Sequence, residues 1–301
     1  MNISIQSRTS KAWKNTLLSL TPHQNSFNDD LIQESANIAH HYLNIDESHK
    51  DELKNGKGFI EFSNIPIDDQ IGNPPCNATR PYNKGYISEL ALIGVTKACG
   101  LTPFSYLEEK NGALVHEITP SENKLAKSVS SEGTVEFDFH TDGAYLSRSI
   151  RPHSLSLLCL MDQKQTGTNL ISLNDLIAEL SNQHKEILFQ SRFVHIAPET
   201  FKVKHRYMTN SVLDLVDGHY EIKAALHSIT ALDEEAENAL TELKKLSKKI
   251  HSTKNWKSGD LLIFNNLRCM HGRGEIVGKR WLQRCYGTYT FDQSTIVKLN
   301  P

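Results

Sequence analysis

Apolar positions follow a helical period in the N-terminal part of the chain. They recur at helical spacing over residues 28–43, and Asn28 or Asp29 can cap the start of this helix. Residues 58–65 alternate apolar and polar side chains, which is typical of a half-buried strand. Residues 87–99 predict a second apolar helix, which ends before Gly100 because glycine favours the left-handed backbone found after helix C-termini.

From Gly112 onward, short apolar runs separated by turn residues predict a series of strands. Helical inserts interrupt them at residues 174–181 and 233–250, and the proline-rich segment 66–85 predicts a long surface loop. This pattern favours an α+β protein in which helices flank an antiparallel sandwich or jelly-roll core. We expect one domain over residues 1–301, with a helical part over about 1–57 and the strand-rich core over about 58–301.

Composition and charge exclude several classes of protein. The chain has 33 basic and 35 acidic residues and is 38% hydrophobic, as in ordinary globular proteins. No basic excess is available to neutralise nucleic-acid phosphates, and no apolar run approaches the ~20 residues of a membrane helix. Five scattered cysteines and the lack of an apolar signal segment indicate a cytoplasmic protein with free thiols. The sequence leaves the oligomeric state open.

Three residues form a candidate metal site. His140 and Asp142 lie in the run EFDFHTDGAY, and His271 follows a strongly apolar predicted strand. A single histidine beside a strand is more often a core or surface residue than a ligand. However, residues two apart on an extended segment project to the same side, so His140 and Asp142 can bind one ion. Two histidines and one carboxylate leave three positions open, as in non-haem Fe(II) oxygenases, whereas structural zinc takes four ligands.

Two arginines on a later predicted strand are candidates for anion binding. Arg280 and Arg284 are four residues apart, which places them on the same side of a strand and roughly 13 Å apart. The planar guanidinium group matches a carboxylate in a bidentate manner, so one arginine could bind a dicarboxylate co-substrate such as 2-oxoglutarate and the other a second anion. The alternative is two exposed strand arginines without a ligand.

The motifs FHTDGAY, GTNLIS, MHGRG and RWLQR occur in this order. In this respect the chain resembles the Fe(II)/2-oxoglutarate-dependent dioxygenases, over about residues 58–291. Within them it is most similar to the clavaminate synthase-like branch, which is related to taurine dioxygenase and includes hydroxylases of free arginine, lysine and asparagine. The resemblance implies a double-stranded β-helix core, Fe(II), 2-oxoglutarate and O₂. It also implies that His140, Asp142 and His271 bind the iron.

The same resemblance implies roles for residues around the metal. Arg280 would bind the distal carboxylate of 2-oxoglutarate, and Arg284 the α-carboxylate of an amino-acid substrate. A co-substrate-binding threonine of the family corresponds here to either Thr168 or Asn169. His116 stands where several relatives have a glutamine that contacts the substrate amine, and the imidazole can accept from an ammonium group only when neutral.

The substrate side chain is predicted from the acidic residues. Residues 223–227 lack the closely spaced acids with which arginine-binding relatives hold a guanidinium group, and Glu108 and Glu109 are expected to be solvated loop charges. We expect lysine or another polar amino acid, beneath a lid over about residues 198–218. The alternatives are a dioxygenase acting on another small anion, such as a sulfonate or a secondary-metabolite intermediate, and a jelly-roll binding protein without catalysis.

Overall fold

The computed structural model of the chain describes residues 1–22, 26–122 and 124–300, which contain both helices and strands. The helices are α1 (Ser7–Leu17), α2 (Asp29–Leu43), α3 (Glu47–Lys54), α4 (Ile87–Ala98), α5 (Leu173–Glu179), α6 (Asn182–Leu188) and α7 (Glu234–Ile250). The strands are β1 (Asn2–Ser4), β2 (Phe59–Ser63), β3 (Thr102–Tyr106), β4 (Val115–Ile118), β5 (Phe137–His140), β6 (Ser154–Asp162), β7 (Thr168–Ser172), β8 (Phe193–Ile196), β9 (Tyr207–Asn210), β10 (Leu213–Val216), β11 (His219–Ile222), β12 (Thr230–Ala231), β13 (Ser252–Lys254), β14 (Leu261–Asn265), β15 (Cys269–Arg273), β16 (Arg280–Thr288) and β17 (Thr295–Val297). The predicted α+β class is therefore confirmed.

Two sheets of unequal size pack against each other. The larger has the strand order β1-β2-β14-β6-β16-β3-β17, with β4 also paired to β16, and the smaller has the order β13-β7-β15-β5. Leu170 of β7, Phe264 of β14 and Leu282 of β16 belong to one buried cluster, so an apolar core lies between the two sheets. A three-stranded sheet, β12-β8-β9, and the hairpin β10-β11 lie outside this pair.

The outer face of each of these two sheets is covered by helices. Ile171 of β7 and Met270 of β15 point away from the inner core and share a cluster with Leu240 and Leu243 of α7. On the far side of the larger sheet, α1, α2 and α4 form a third cluster with strands β2, β6 and β14. Successive strand residues point to opposite faces, so His271, next to Met270, faces the space between the sheets.

Local sequence signals account for the longer helices. The side chain of Asn28 accepts a hydrogen bond from Leu31 N at 3.0 Å, and Asp233 caps α7 in the same way through Ala236 N at 3.0 Å. Gly100, beyond the end of α4, has a φ of +81°. These observations confirm the predicted bounds of α2, α4 and α7 to within two residues. The five cysteines are free, and within the described residues no helix is long and apolar enough to cross a membrane.

The loop over residues 66–85, which the structure describes in full, has no helix or strand and is anchored by a buried ion cluster. Nζ of Lys84 lies 3.0 Å from Oδ2 of Asp68 and 2.6 Å from Oε2 of Glu89 in α4. The side chain of Lys84 is only 1% exposed. The predicted surface loop therefore has one end buried in the protein, where Lys84 pairs with two carboxylates and Nε of Arg80 also lies 2.8 Å from Oε1 of Glu89.

Replacing Lys84 with Met is expected to lower the free energy of unfolding by about 3–5 kcal/mol, because Asp68 would remain buried without its cation and Glu89 would keep only Arg80. Chemical denaturation measures the loss. Lys50→Met is the control, since Lys50 pairs at 2.7 Å with Glu47, whose side chain is 88% exposed, and such surface pairs contribute ~0–1 kcal/mol. Equal losses in the two variants would show that the buried cluster does not stabilise the fold.

Candidate metal centre and adjoining cavities

Three potential metal ligands converge where β5 meets β15. The strands pair antiparallel with His140 directly opposite His271, and Asp142 follows β5 by two residues. Nε2 of His140 lies 3.4 Å, and Nε2 of His271 3.8 Å, from Oδ1 of Asp142. The three candidate ligand atoms all lie within 4.8 Å of one another. Donors about 2.0–2.2 Å from one octahedral ion are roughly 3 Å apart when adjacent, so this arrangement fits a single metal ion.

The protonation of these three side chains also suits a cation. Burial and the neighbouring His140 lower the pKa of His271 to about 3, so this imidazole is neutral at pH 7. Nδ1 of His140 lies 2.8 Å from the carbonyl oxygen of Asp138, which places the proton on Nδ1 and leaves Nε2 free to bind a metal. Burial alone would raise the pKa of Asp142, but Arg284, His140 and His271 together outweigh this and hold that pKa well below its usual value.

A first cavity, of about 440 Å³, extends from the three ligands into the space between the sheets. Arg280 lines it and is buried, with Nε 3.3 Å from Oδ2 of Asp162 and a terminal nitrogen 3.4 Å from Oγ1 of Thr168. Apolar side chains form much of the remaining wall: Ile118, Leu157 and Leu282. A cavity with the candidate metal ligands and a buried guanidinium in its lining suits a short anionic molecule.

The two candidates in β7 point in different directions. Thr168 is buried, lines the first cavity and accepts a hydrogen bond from Nε1 of Trp256 at 3.1 Å. Oδ1 of Asn169 instead accepts from Oγ1 of Thr253 in the edge strand β13, at 2.8 Å. Of these two residues, therefore, Thr168 has the cavity-facing position.

Gly272 of β15 lets strand β5 lie unusually close to β15, next to the candidate ligand His271. A Cβ atom added to Gly272 would lie 2.7 Å from the carbonyl oxygen of Phe137 in β5, which is closer than real Cβ contacts. Glycine therefore permits the close approach of β5 next to His271. The same glycine lines the first cavity. His271 follows the predicted apolar strand, β14, as expected. It also lies inside a further strand, β15, which was not predicted because its apolar residues are interrupted by polar ones.

Arg284 joins the metal ligands to a second cavity, of about 550 Å³. One terminal nitrogen of Arg284 donates to Oδ2 of Asp142 at 2.7 Å, and the other donates to Oε1 of Glu109 at 2.5 Å. The hydroxyl of Tyr286 also donates to Oδ2 of Asp142, at 3.0 Å. The two arginines predicted as anion sites thus both lie beside the candidate metal centre, and Arg284 lines both cavities.

Glu109 is a site residue that sequence reasoning missed. It was expected to be a solvated loop charge, but it is only 4% exposed and lines the second cavity. Burial raises the pKa of Glu109, although the adjacent Arg284 guanidinium opposes this. Within the described part of the chain, Oε2 of Glu109 and Nε of Arg284 are buried and make no hydrogen bond.

His116 is buried beside Arg284 and is absent from the lining of either cavity among the described residues. Its Nδ1 lies 2.7 Å from a terminal nitrogen of Arg284. Burial and the Arg284 charge hold the pKa of His116 well below its usual value, so the neutral ring accepts a hydrogen bond from the guanidinium. The structure therefore places His116 where it orients Arg284.

The remaining wall of the second cavity is mainly uncharged. Among the described residues that line it, Glu109 and Asp142 are the only acids, and segment 223–227 contributes Ala225 and His227. The predicted lid contributes Pro198, Thr200 and Phe201. Other lining residues include Ser131, Phe137 and Tyr145. The wall thus combines apolar surface with hydroxyl groups and one imidazole.

Two imidazoles and a carboxylate next to two arginine-bearing cavities indicate a metal-dependent enzyme with anionic ligands. The chain belongs to the taurine catabolism dioxygenase TauD, TfdA family, whose sequence pattern matches residues 87–286. The prediction of a dioxygenase related to taurine dioxygenase is therefore confirmed.

Curated relatives include two enzymes named for amino acids. An L-asparagine oxygenase of Streptomyces coelicolor is 27% identical over 242 residues, which make up 76% of this chain and 70% of that protein. An L-lysine 3-hydroxylase of Catenulispora acidiphila is 23% identical over 182 residues, or 56% of this chain and 49% of that protein.

Solved structures with the same fold include two oxygenases. An asparagine oxygenase in complex with Fe(II), (2S,3S)-3-hydroxyasparagine and succinate superposes with a TM-score of 0.80 at 22% identity, covering 96% of this chain and 93% of that chain. The non-heme iron oxygenase OrfP, in complex with Fe, succinate and (3S)-hydroxy-L-Arg, gives a TM-score of 0.78 at 21% identity, covering 96% and 94%.

Proposed function

We propose that the protein is an Fe(II)/2-oxoglutarate-dependent oxygenase that hydroxylates an unactivated C–H bond of a free amino acid. Residues 1–301 would form one such domain, with the two facing sheets as its double-stranded β-helix. Family membership and the names of the relatives support this reaction class. The amino-acid substrate is supported by the second cavity.

One observation carries the proposal of an amino-acid substrate. Arg284 and Glu109 are linked by a hydrogen bond, yet Nε of Arg284 and Oε2 of Glu109 make none of their own within the described residues. Buried polar groups are rarely left without a partner, so a ligand that satisfies both is expected. A free amino acid offers a carboxylate for Arg284 and an ammonium group for Glu109. The ammonium group would place a second positive charge beside Glu109, in addition to Arg284.

The residues of the first cavity suit the metal and the co-substrate. His140, Asp142 and His271 would hold Fe(II), and Arg280 with Thr168 would bind the distal carboxylate of 2-oxoglutarate. When bound, Fe(II), 2-oxoglutarate and O₂ supply the oxidising chemistry that replaces a C–H bond by C–OH.

The protein itself orients the substrate. Arg284 is hydrogen-bonded to Asp142, so the anchor for the substrate carboxylate has a fixed position relative to the metal ligands. His116 accepts a hydrogen bond from the Arg284 guanidinium, and Tyr286 donates one to the Asp142 carboxylate, so both groups are held in place. Such fixed geometry would keep the target carbon near the reactive centre. A displacement of the substrate by about 1 Å can lower the reaction rate greatly.

The cavity wall supports a polar substrate side chain. We infer lysine or another polar amino acid, because residues with a hydroxyl group or an imidazole line the second cavity, namely Ser131, Thr200 and His227. The relatives named for asparagine and lysine are consistent with either an uncharged or a basic side chain.

The proposed function is tested by measuring succinate release with each of the twenty protein amino acids. We expect turnover with a small subset, accompanied by a product heavier by one oxygen atom in mass spectrometry. Taurine and other sulfonates are included as competing substrates. Turnover with a sulfonate alone would reject the amino-acid assignment while retaining the reaction class.

An anaerobic titration separates the enzyme from a non-catalytic binding protein. Adding Fe(II) and 2-oxoglutarate should produce a weak visible charge-transfer band if the co-substrate chelates the metal. A protein that binds no iron would give no such band and no succinate. That outcome would reject the proposed function as a whole.

A further inference from the structure

Besides Glu109 and Arg284, the second cavity has a further buried residue, Tyr145, with a polar atom that makes no hydrogen bond to the described residues. It is only 6% exposed and lines the second cavity together with Glu109. Within the described part of the chain, its hydroxyl makes no hydrogen bond. Buried tyrosine hydroxyls usually have a partner, so this one is arranged for a group that the protein itself does not supply.

The position of the Tyr145 ring is fixed by the turn that follows the metal ligand Asp142. Leu146 N donates to the carbonyl oxygen of Gly143 at 2.8 Å, and Gly143 has a φ of +68°, which favours glycine. On its other side the ring packs edge-on against Phe201, with 6.0 Å between the ring centroids. The hydroxyl is therefore held in the cavity rather than released to solvent.

Charge around Tyr145 favours a hydrogen-bond donor as its partner. Burial and the negative charge of Glu109 raise the pKa of Tyr145, so the phenol stays protonated and its oxygen keeps free lone pairs. Glu109 presents an unpaired acceptor oxygen in the same cavity, and the two groups are not hydrogen-bonded to each other. An ammonium group carries several N–H donors and can serve both acceptors at once.

We propose that the Tyr145 hydroxyl accepts a hydrogen bond from the α-ammonium group of the substrate, next to Glu109. This inference rests on the proposed function and adds a residue that selects for the amine. A phenol and a carboxylate acting together would discriminate against ligands that have the same carboxylate but no 2-amino group.

The test compares amino acids with their analogues that lack the 2-amino group. L-asparagine with succinamic acid, and L-lysine with 6-aminohexanoic acid, are titrated into the anaerobic complex of the protein with Fe(II) and 2-oxoglutarate. The change in the charge-transfer band gives each Kd. In the wild type the amino acid should bind more tightly than its analogue, and in Tyr145→Phe this preference should fall about 10-fold, because a hydrogen bond to a charged group is lost.

The matched control is Tyr106→Phe. Tyr106 is also buried and packs against Phe201 at 5.7 Å, but its hydroxyl donates to the carbonyl oxygen of Ile150 and does not line the second cavity. Tyr106→Phe should leave the preference for the amine unchanged. An unchanged preference in Tyr145→Phe, or equal weakening of amino acid and analogue, would overturn the inference. If the wild type bound neither amino acid and also failed the screen above, the proposed function would fall together with this inference.

Discussion

Replacing His271 with Ala is expected to abolish Fe(II) binding and succinate formation while the protein remains folded. His271 contributes one of three donors that lie within 4.8 Å of one another, and no fourth candidate belongs to this cluster among the described residues. Loss of a residue that only hydrogen-bonds to a metal ligand typically lowers metal affinity or activity by 10–100-fold. Loss of a ligand itself should therefore lower Fe(II) affinity by more than this. Equilibrium Fe(II) binding under anaerobic conditions measures the effect, and His140→Ala should behave in the same way.

The control for this prediction is an exposed histidine far from the donors in sequence. His219→Ala, in β11, should bind Fe(II) like the wild type. Thermal unfolding of all three variants shows whether the fold is retained. Stoichiometric Fe(II) binding by a folded His271→Ala protein would reject the ligand assignment.

Replacing each of the two arginines of β16 is expected to weaken the binding of a different substrate. Arg284→Ala should mainly raise the KM for the amino acid, and Arg280→Ala should mainly raise the KM for 2-oxoglutarate. A charge-assisted pair in a desolvated site contributes on the order of 2–4 kcal/mol, so each KM should rise by about 30-fold or more. Steady-state kinetics with one substrate varied and the other saturating measures both constants.

Arg192→Ala is the control for the arginine pair, because Arg192 forms a surface ion pair, with Nε 2.7 Å from Oδ2 of Asp233. Both of its KM values should match those of the wild type. If Arg284→Ala changed the 2-oxoglutarate requirement and Arg280→Ala the amino-acid requirement, the assignment of the two arginines would be reversed.

The longer helices could be predicted from sequence because they bury a broad apolar stripe. The helices α2, α4 and α7 have both the period and a terminal signal such as Asn28, Gly100 or Asp233. The helices α1 and α3 were not predicted individually because they bury little: α1 buries Trp13 and Leu17, and α3 buries only Leu53. Two or three apolar residues do not define a period against the surrounding polar sequence.

The residues of the candidate metal site could be predicted from the sequence, but their arrangement in space could not. Motif spacing identified His140, Asp142 and His271, whereas their meeting depends on the register between β5 and β15, which places His140 opposite His271. The choice between Thr168 and Asn169 also stayed open, because β7 is apolar on both faces and its pattern does not reveal which face is inside.

Glu109 could not be found from its own neighbourhood, since the run EEKNG is typical of a solvated turn. It is buried because β4, which follows it, pairs with β16 and places His116 directly opposite Arg284. A pairing between these strands, had it been known, would have brought Glu109 to the guanidinium. Long-range register is thus the information that local sequence patterns lack.

The hydrogen bond between Arg284 and Asp142 has a consequence for how the two cavities influence each other. A carboxylate that arrives at Arg284 competes with Asp142 for the same positive charge, which makes Asp142 a stronger electron donor to whatever ion it holds. Because this single guanidinium is shared by both compartments, we expect a ligand in one of them to alter the electrostatic environment of the other.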